Sequence, residues 1–157
     1  MIQTIETYFL LFISYAFLGW CMEVGCKYVQ FGKFINRGFL IGPYCPIYGW
    51  GAIAITILLK RYTYDPLVLF IMSTLVCSII EYFTSYFMEK KYHARWWDYS
   101  SKKFNINGRI CLETLIPFGI LGLFIMYVTN PMLFKIYQSM SEIVVHIISI
   151  TLFIIFI

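Results

Sequence analysis

The chain has 157 residues, of which 61% are apolar, 20% aromatic and 13% charged. Soluble domains carry about 25% charged residues, so there is too little charge to coat a soluble surface, and a soluble globular enzyme or binding module is excluded. The net charge of +4 would suit nucleic acid, but the basic residues lie between apolar runs rather than on one face, a pattern that belongs to membrane proteins.

A spanning helix needs roughly 20 mostly apolar residues. Five segments approach that length: 8–26 with Glu23 as its one charge, 39–59 with none, 67–88 interrupted by Glu81, 110–129 holding Glu113, and 142–157. The fold predicted is all-α, a polytopic bundle of about five transmembrane helices forming a single integral membrane domain over 1–157. No Lys or Arg precedes the first apolar run, so it lacks the charged region of a signal peptide and is expected to be retained as the first span. The fifth segment is short and has no charged anchor after Ile157. It reads as a complete short helix, a helix packed on a partner, or the start of a longer one.

The connections carry Lys and Arg unevenly. Lys27, Lys33 and Arg37 lie in the first, and Lys90, Lys91, Arg95, Lys102, Lys103 and Arg109 in the third. Against these nine stand three: Lys60 and Arg61 in the second and Lys135 in the fourth. The positive-inside rule therefore places loops 27–38 and 89–109 in the cytoplasm, with the N-terminus outside. The third connection, 21 residues long, exceeds ordinary loop lengths, and such loops are often functional.

Glu23, Glu81 and Glu113 all fall near the same side of the membrane, at depths of roughly 5 to 10 Å along their helices. Ionisable groups inside a bilayer are costly and normally face protein or a water-filled cavity. Glu113 follows Arg109 by four residues, which suggests an ion pair on one helix face. Ala16, Gly19, Glu23 and Cys26 form a small-residue stripe on the first span. Cys77, Glu81, Ser85 and Met88 form another on the third, with Thr84 beside it. Glu81, Thr84 and Ser85 either supply hydrogen bonds to one ligand or hold helices together.

The second span begins GFLIGPYCPIYGWG, with Gly38, Gly42, Gly49 and Gly51 and two prolines, Pro43 and Pro46, in 14 residues. Proline removes a helical hydrogen bond and clashes with the preceding turn. Irregular backbone at membrane depth is tolerated only inside protein or along a cavity, and discontinuous helices build substrate sites in transporters. The inner half of this span is therefore expected to be broken, kinked or re-entrant. Gly38 and Gly42 also make a GxxxG pair.

The third loop reads EKKYHARWWDYSSKKFNINGR. Trp96, Trp97 and Tyr99 suit an interfacial anchor whose basic residues touch anionic lipid. Asp98, Asn105 and the Asn107-Gly108 turn fall outside that account and point to a loop that also closes over the inner-leaflet carboxylates. The five cysteines lie in or beside apolar segments without a CxxC pair, and the two histidines are isolated, so neither metal nor cofactor is expected. No GxxxxGK[ST], HExxH or GxSxG motif is present.

Three blocks carry a family resemblance. GWCMEV gives Gly19, Trp20 and Glu23. NRGFLIGPYCPIYGWG gives Asn36, Arg37, Gly38, Gly42, Pro43, Cys45, Pro46, Tyr48 and Gly49. EYFTSYFMEKKYHARWWDYSSKKFNINGRICL runs from Glu81 through Glu89 and the Arg95–Ser100 segment to Arg109. In their order, over roughly residues 15 to 120, these blocks resemble the family described as putative ABC-transporter permeases, type IV, CmpB-like. The resemblance implies a bacterial inner-membrane protein of several helices, with ATP hydrolysis supplied by a separate ATPase subunit and with homo- or hetero-oligomerisation.

The candidate substrate-binding residues are Glu23, Asn36, Arg37, Tyr48, Glu81, Ser85, Arg95, Asp98, Asn105, Arg109 and Glu113, in a polar pocket of the cytoplasmic leaflet. Three functions fit them: a permease or substrate-binding subunit of a transporter, a membrane-embedded enzyme acting on a lipid or isoprenoid, and a non-catalytic membrane interaction protein.

Overall fold

The structure is a computed structural model and describes residues 2–36 and 42–156. Every regular element among them is helical: α1 (Ile2–Phe31), α2 (Pro46–Leu58), a 3-10 turn at Lys60–Tyr62, α3 (Pro66–Tyr92), α4 (Leu112–Phe124), a π turn at Ile125–Thr129, α5 (Asn130–Ser139) and α6 (Glu142–Phe156). Helices that satisfy their own backbone groups are what apolar runs of this length adopt in a bilayer. Three are long and apolar enough to cross one: Thr4–Phe31, Pro66–Tyr92 and Leu112–Ser139, the last being α4, the π turn and α5 in unbroken succession. The shorter helices α2 and α6 have 13 and 15 residues, about 20 Å at the helical rise, less than the roughly 30 Å of a hydrocarbon core.

The chain divides into two compact units. One comprises Met1–Ile53 with Asn130–Ile157, the other Ala54–Thr129. In the first, α1 packs against α5 and α6. Tyr8 meets Phe134, Phe9 meets Phe153 and Phe12 meets Phe156, each edge to face with ring centroids 5.7–6.4 Å apart. Tyr15 donates to the buried Asn130 side chain at 2.7 Å, and Ser14 and Tyr137 share a hydrogen bond of 2.7 Å. His146 of α6, isolated in the sequence, bonds Glu6 of α1.

In the second unit, Ile55, Leu59 and Leu69 form a fully buried core with Met72, Val76 and Leu123 around it. Asp65 caps α3, accepting from the backbone N–H groups of Leu67 and Val68 at 3.0 and 3.1 Å, with Pro66 at the first helical position. α3 then packs closely on α4. Gly122 lies on Ser73 and Gly119 on the Phe70 ring, so near that a Cβ at either would overlap its neighbour. Small residues let membrane helices approach in this way.

Several boundaries differ from those the apolar runs suggest. α1 continues past Cys26 to Phe31, where Gly32, with φ +65°, closes the last turn by donating to the Tyr28 carbonyl at 2.8 Å. α3 continues past Met88 to Tyr92, so Lys90 and Lys91 lie on its last turn, where cations favour the helix dipole. The helix that carries the fourth apolar segment does not end at residue 129. The Asn130-Pro131 pair resembles a loop start, but the π turn lets the helix continue past a proline that lacks an N–H. Lys135 is consequently helical, and the last connection shrinks to Met140–Ser141.

The Gly/Pro run behaves as expected over its described part. Residues 42–45 are non-helical, Gly42 has φ +141°, and α2 starts at Pro46. The GxxxG pair is not a helix-packing motif, since Gly42 is outside any helix; Gly38 lies outside the described residues.

The close approach of α4 to α3 predicts that Gly122→Leu lowers stability by about 1–3 kcal/mol through overpacking, seen as a lower Tm in detergent. Gly25→Ala, at an exposed helical site with no atom within 4 Å of the added Cβ, should leave Tm unchanged or slightly raised.

Candidate functional site

The polar residues singled out in the sequence fall into two clusters, one in each unit. The first is built on α1. Gly19 lacks a side chain where the Tyr48 ring lies, and Gly49 likewise receives Phe12. The Cys45 N–H donates to the Ala16 carbonyl at 2.8 Å, fixing the start of α2 against the helix. This register brings the Tyr48 hydroxyl to the Glu23 carboxylate, to which it donates at 2.6 Å. One turn earlier, Trp20 donates from its indole nitrogen to the exposed Asn36 side chain at 2.8 Å. Ala16 and Gly19 are buried, Glu23 is half-buried and Cys26 is exposed, so the small-residue stripe packs along its first half. Arg37 lies outside the described residues.

The second cluster is built on the last four turns of α3 and the loop that follows. Glu81, Ser85 and Glu89 recur every fourth residue and share a face. Glu81 is 8% exposed and accepts from the Tyr99 hydroxyl at 3.1 Å. The Arg109 guanidinium, itself 8% exposed, donates to Ser85 Oγ at 3.2 Å and to Glu89. It stacks against the Tyr82 and Tyr86 rings at 5.8 and 5.4 Å from their centroids. Arg95 reaches Glu89 from the other side at 2.9 Å. Glu89 thus receives two guanidinium groups.

The loop has a defined shape. His93 closes α3 in the left-handed conformation. Asn107 and Gly108 both have positive φ, and the Arg109 N–H donates to the Ile106 carbonyl at 3.0 Å, so residues 106–109 make the tight turn that the Asn-Gly pair announces. Gly108 sits where a Cβ would strike Ser100 and Asp98, while its carbonyl accepts from the Tyr99 N–H at 2.8 Å. Asn105 holds the turn from within, accepting from the Gly108 N–H at 2.9 Å and donating to the Lys102 carbonyl at 2.8 Å. Asn107 donates to the Tyr82 hydroxyl at 2.8 Å, and Trp97 donates to the Arg109 carbonyl at 3.1 Å. Trp97 and Tyr99 are therefore pinned to the fold, leaving Trp96 as the more exposed of the three expected anchors.

Asp98 accepts from the Ser100 hydroxyl and backbone N–H and lies 3.6 Å from Arg95. The Ser100 hydroxyl first, then its N–H and Arg95, hold the Asp98 carboxyl below its ordinary value of 3.8. Glu89 raises Arg95, chiefly by accepting its hydrogen bond.

One expected pairing is corrected. Glu113 does not pair with Arg109. α4 begins at Leu112, so Arg109 lies in the loop and the four-residue helical spacing does not exist. Glu113 occupies the exposed first turn, where a carboxylate suits the helix dipole, and pairs with Lys102 at 2.9 Å. That contact raises Lys102 above its ordinary value.

Glu89, Tyr82 and Tyr86 are contributors that the candidate set lacks. The four-residue step from Glu81 through Ser85 leads straight to Glu89 and is legible in the sequence. Among the described residues no cluster of His, Cys, Asp and Glu has the form of a metal site.

Apolar helices of spanning length, with carboxylates held by tyrosine and arginine near helix ends, define an α-helical integral membrane protein. The family model described as "Putative ABC-transporter type IV" matches residues 10–157, and the chain belongs to that family. No curated protein and no solved structure matches it.

Two predictions follow from the loop cluster. Arg109→Lys keeps the charge but loses the planar fork that reaches Ser85 and Glu89 together; Tm in detergent should fall by about 5 °C or more, and Tyr99→Phe by less. The Asp98 contribution has the opposite sign to a histidine switch. A carboxyl held low is stabilising above its ordinary value and loses that effect only as pH falls through its lower, folded value. Hydrogen exchange of the 98–109 amides, corrected for intrinsic rate, should show equal protection at pH 7 and pH 5. Loss of protection centred between those values would contradict it.

Proposed function

We propose that this protein is the permease or substrate-binding subunit of a transporter, with its polar site at the cytoplasmic leaflet of a bacterial cell membrane. The observation that carries the reading is Glu81: a carboxylate 8% exposed, about three turns from the end of an apolar spanning helix, met by a tyrosine from the folded-back loop. Buried ionisable groups in spanning helices typically mark substrate or ion paths. The family supports the transporter assignment.

In this reading Glu81, Ser85 and Tyr99 form the binding surface in the second unit. Arg109, Arg95, Asp98 and Asn105 position the loop, with Glu113 anchoring its Lys102 end. Glu23, Tyr48 and Asn36 form the equivalent surface of the first unit, to which Arg37 belongs by sequence. The chain acts as one membrane domain with its N-terminus outside and loops 27–38 and 89–109 in the cytoplasm, following the bias of basic residues. ATP hydrolysis comes from a separate ATPase subunit, and the chain works as a homo- or hetero-oligomer. A second reading, a non-catalytic interaction protein, is favoured by the mutual engagement of Arg109, Glu89, Arg95 and Ser85, whose pairs with one another lock the loop.

Purification of the tagged chain from its own membranes, with measurement of substrate-stimulated ATP hydrolysis by the complex, separates the two. In the transport reading Glu81→Gln keeps the wild-type Tm while stimulation falls about tenfold or more, the scale of a lost charged hydrogen bond. Stimulation unchanged by Glu81→Gln would remove the assigned site. Parallel loss of stability and of complex formation, without a selective loss of stimulation, would establish the interaction reading instead.

A further inference from the structure

The end of the third loop and the first turn of α4 enclose an open cavity of about 300 Å³ lined by Phe104, Ile106, Ile110, Cys111, Leu112 and Leu115. That volume is at the lower end of those that hold small ligands. The lining is carbon almost throughout, yet Phe104 is 79% exposed, Ile106 56% and Leu112 50%. Phe104 has φ +51°, a left-handed conformation that bulky side chains rarely adopt. Asn105 holds it there through Lys102 and Gly108. The backbone thus keeps an aromatic ring presented outward beside an apolar groove, where a loop meant for water would turn it in.

Charge frames the groove. Lys102 and Lys103 precede Phe104, and Glu113 follows Leu112. Lys102 and Glu113 meet at 2.9 Å, tying the loop wall to the helix wall, and the Ile106–Ile110 bridge joins the walls again at 2.9 Å. Lys103 is exposed and makes no ion pair among the described residues. The helix wall is the first turn of a helix long enough to cross a membrane. The groove therefore lies at the end of a spanning segment, where acyl chains give way to headgroups.

We propose that this groove holds one acyl chain of an anionic phospholipid, with its phosphate at Lys103. The chemistry of the groove selects that occupant: walls that are carbon almost throughout take a hydrocarbon chain, and the exposed ammonium of Lys103, next in sequence to the groove residue Phe104, takes an anionic headgroup. The site is separate from Glu81, and its occupancy does not depend on whether the chain transports anything.

The test is native mass spectrometry of delipidated protein in detergent, titrated with phosphatidylglycerol or with phosphatidylcholine of the same chains. One phosphatidylglycerol is expected to be retained in preference to phosphatidylcholine. Lys103→Gln should lower its retention about fivefold, the weight of one basic residue at an anionic surface. Leu115→Trp, which fills the groove, should lower retention of both lipids while circular dichroism stays helical. Lys103 is exposed, so its variant tests the headgroup contact even if Leu115→Trp fails to fold. Glycerol phosphate, a headgroup without chains, should not compete. Equal retention of the two lipids, wild-type retention by Lys103→Gln, or full competition by glycerol phosphate would overturn the proposal.

Discussion

An arginine cannot lie unpaired against an apolar hairpin. Moving Arg, Lys or Asp to the centre of a spanning helix costs about 2.5–3.5 kcal/mol on insertion scales, and the cost is relieved only by partners close enough to replace water. Arg109 answers this constraint with the Ser85 hydroxyl, the Glu89 carboxylate and two tyrosine faces, all presented by the last turns of α3. The rest of the loop is organised around that docking. Because Arg109 is fixed on α3, its carbonyl is available to Trp97, its N–H closes the Asn107-Gly108 turn, and Tyr99 arrives opposite Glu81. Ordering a connection of this length costs considerable conformational entropy, which these contacts offset.

The same economy appears in the other unit with different materials. There a glycine on α1 makes room for the Tyr48 ring, and the hydroxyl beyond that ring meets Glu23. In both units an acid on a long helix receives a tyrosine from a segment that is not itself a regular part of that helix. Tyrosine suits the task because its ring satisfies the apolar surroundings while its hydroxyl satisfies the carboxylate.

Much of this was legible in the sequence, because it rests on spacing and on turn chemistry. Residues 42–45 of the Gly/Pro run are non-helical and α2 starts at Pro46, the Asn107-Gly108 pair makes its turn, and Glu81, Ser85 and Arg109 belong to one cluster. Where the helices outrun the apolar segments the cause is common: a charged residue ends an apolar run without ending the helix. Lys27, Glu89 and Lys135 lie on helices that apolar runs alone would end before them. Long side chains extend along a helix toward the interface, so helical backbone outlasts apolar sequence at a membrane boundary. Glu89 lies on the part of α3 beyond Met88, and α4 begins at Leu112, after Arg109.

Those boundary shifts alter the loop's character as well. Once Trp97 and Tyr99 are committed to Arg109 and Glu81, the interfacial surface cannot be the Trp-Trp-Asp-Tyr segment as a whole. The apolar groups left outward are Trp96, Phe104 and Ile106, and Phe104 is held there against its own backbone preference, a conformation that costs on the order of 1–3 kcal/mol. A loop that is ordered by an inward arginine and strained to face an aromatic outward has two separate surfaces. The inward one touches the carboxylates of α3, while the outward one meets whatever lies at the membrane edge.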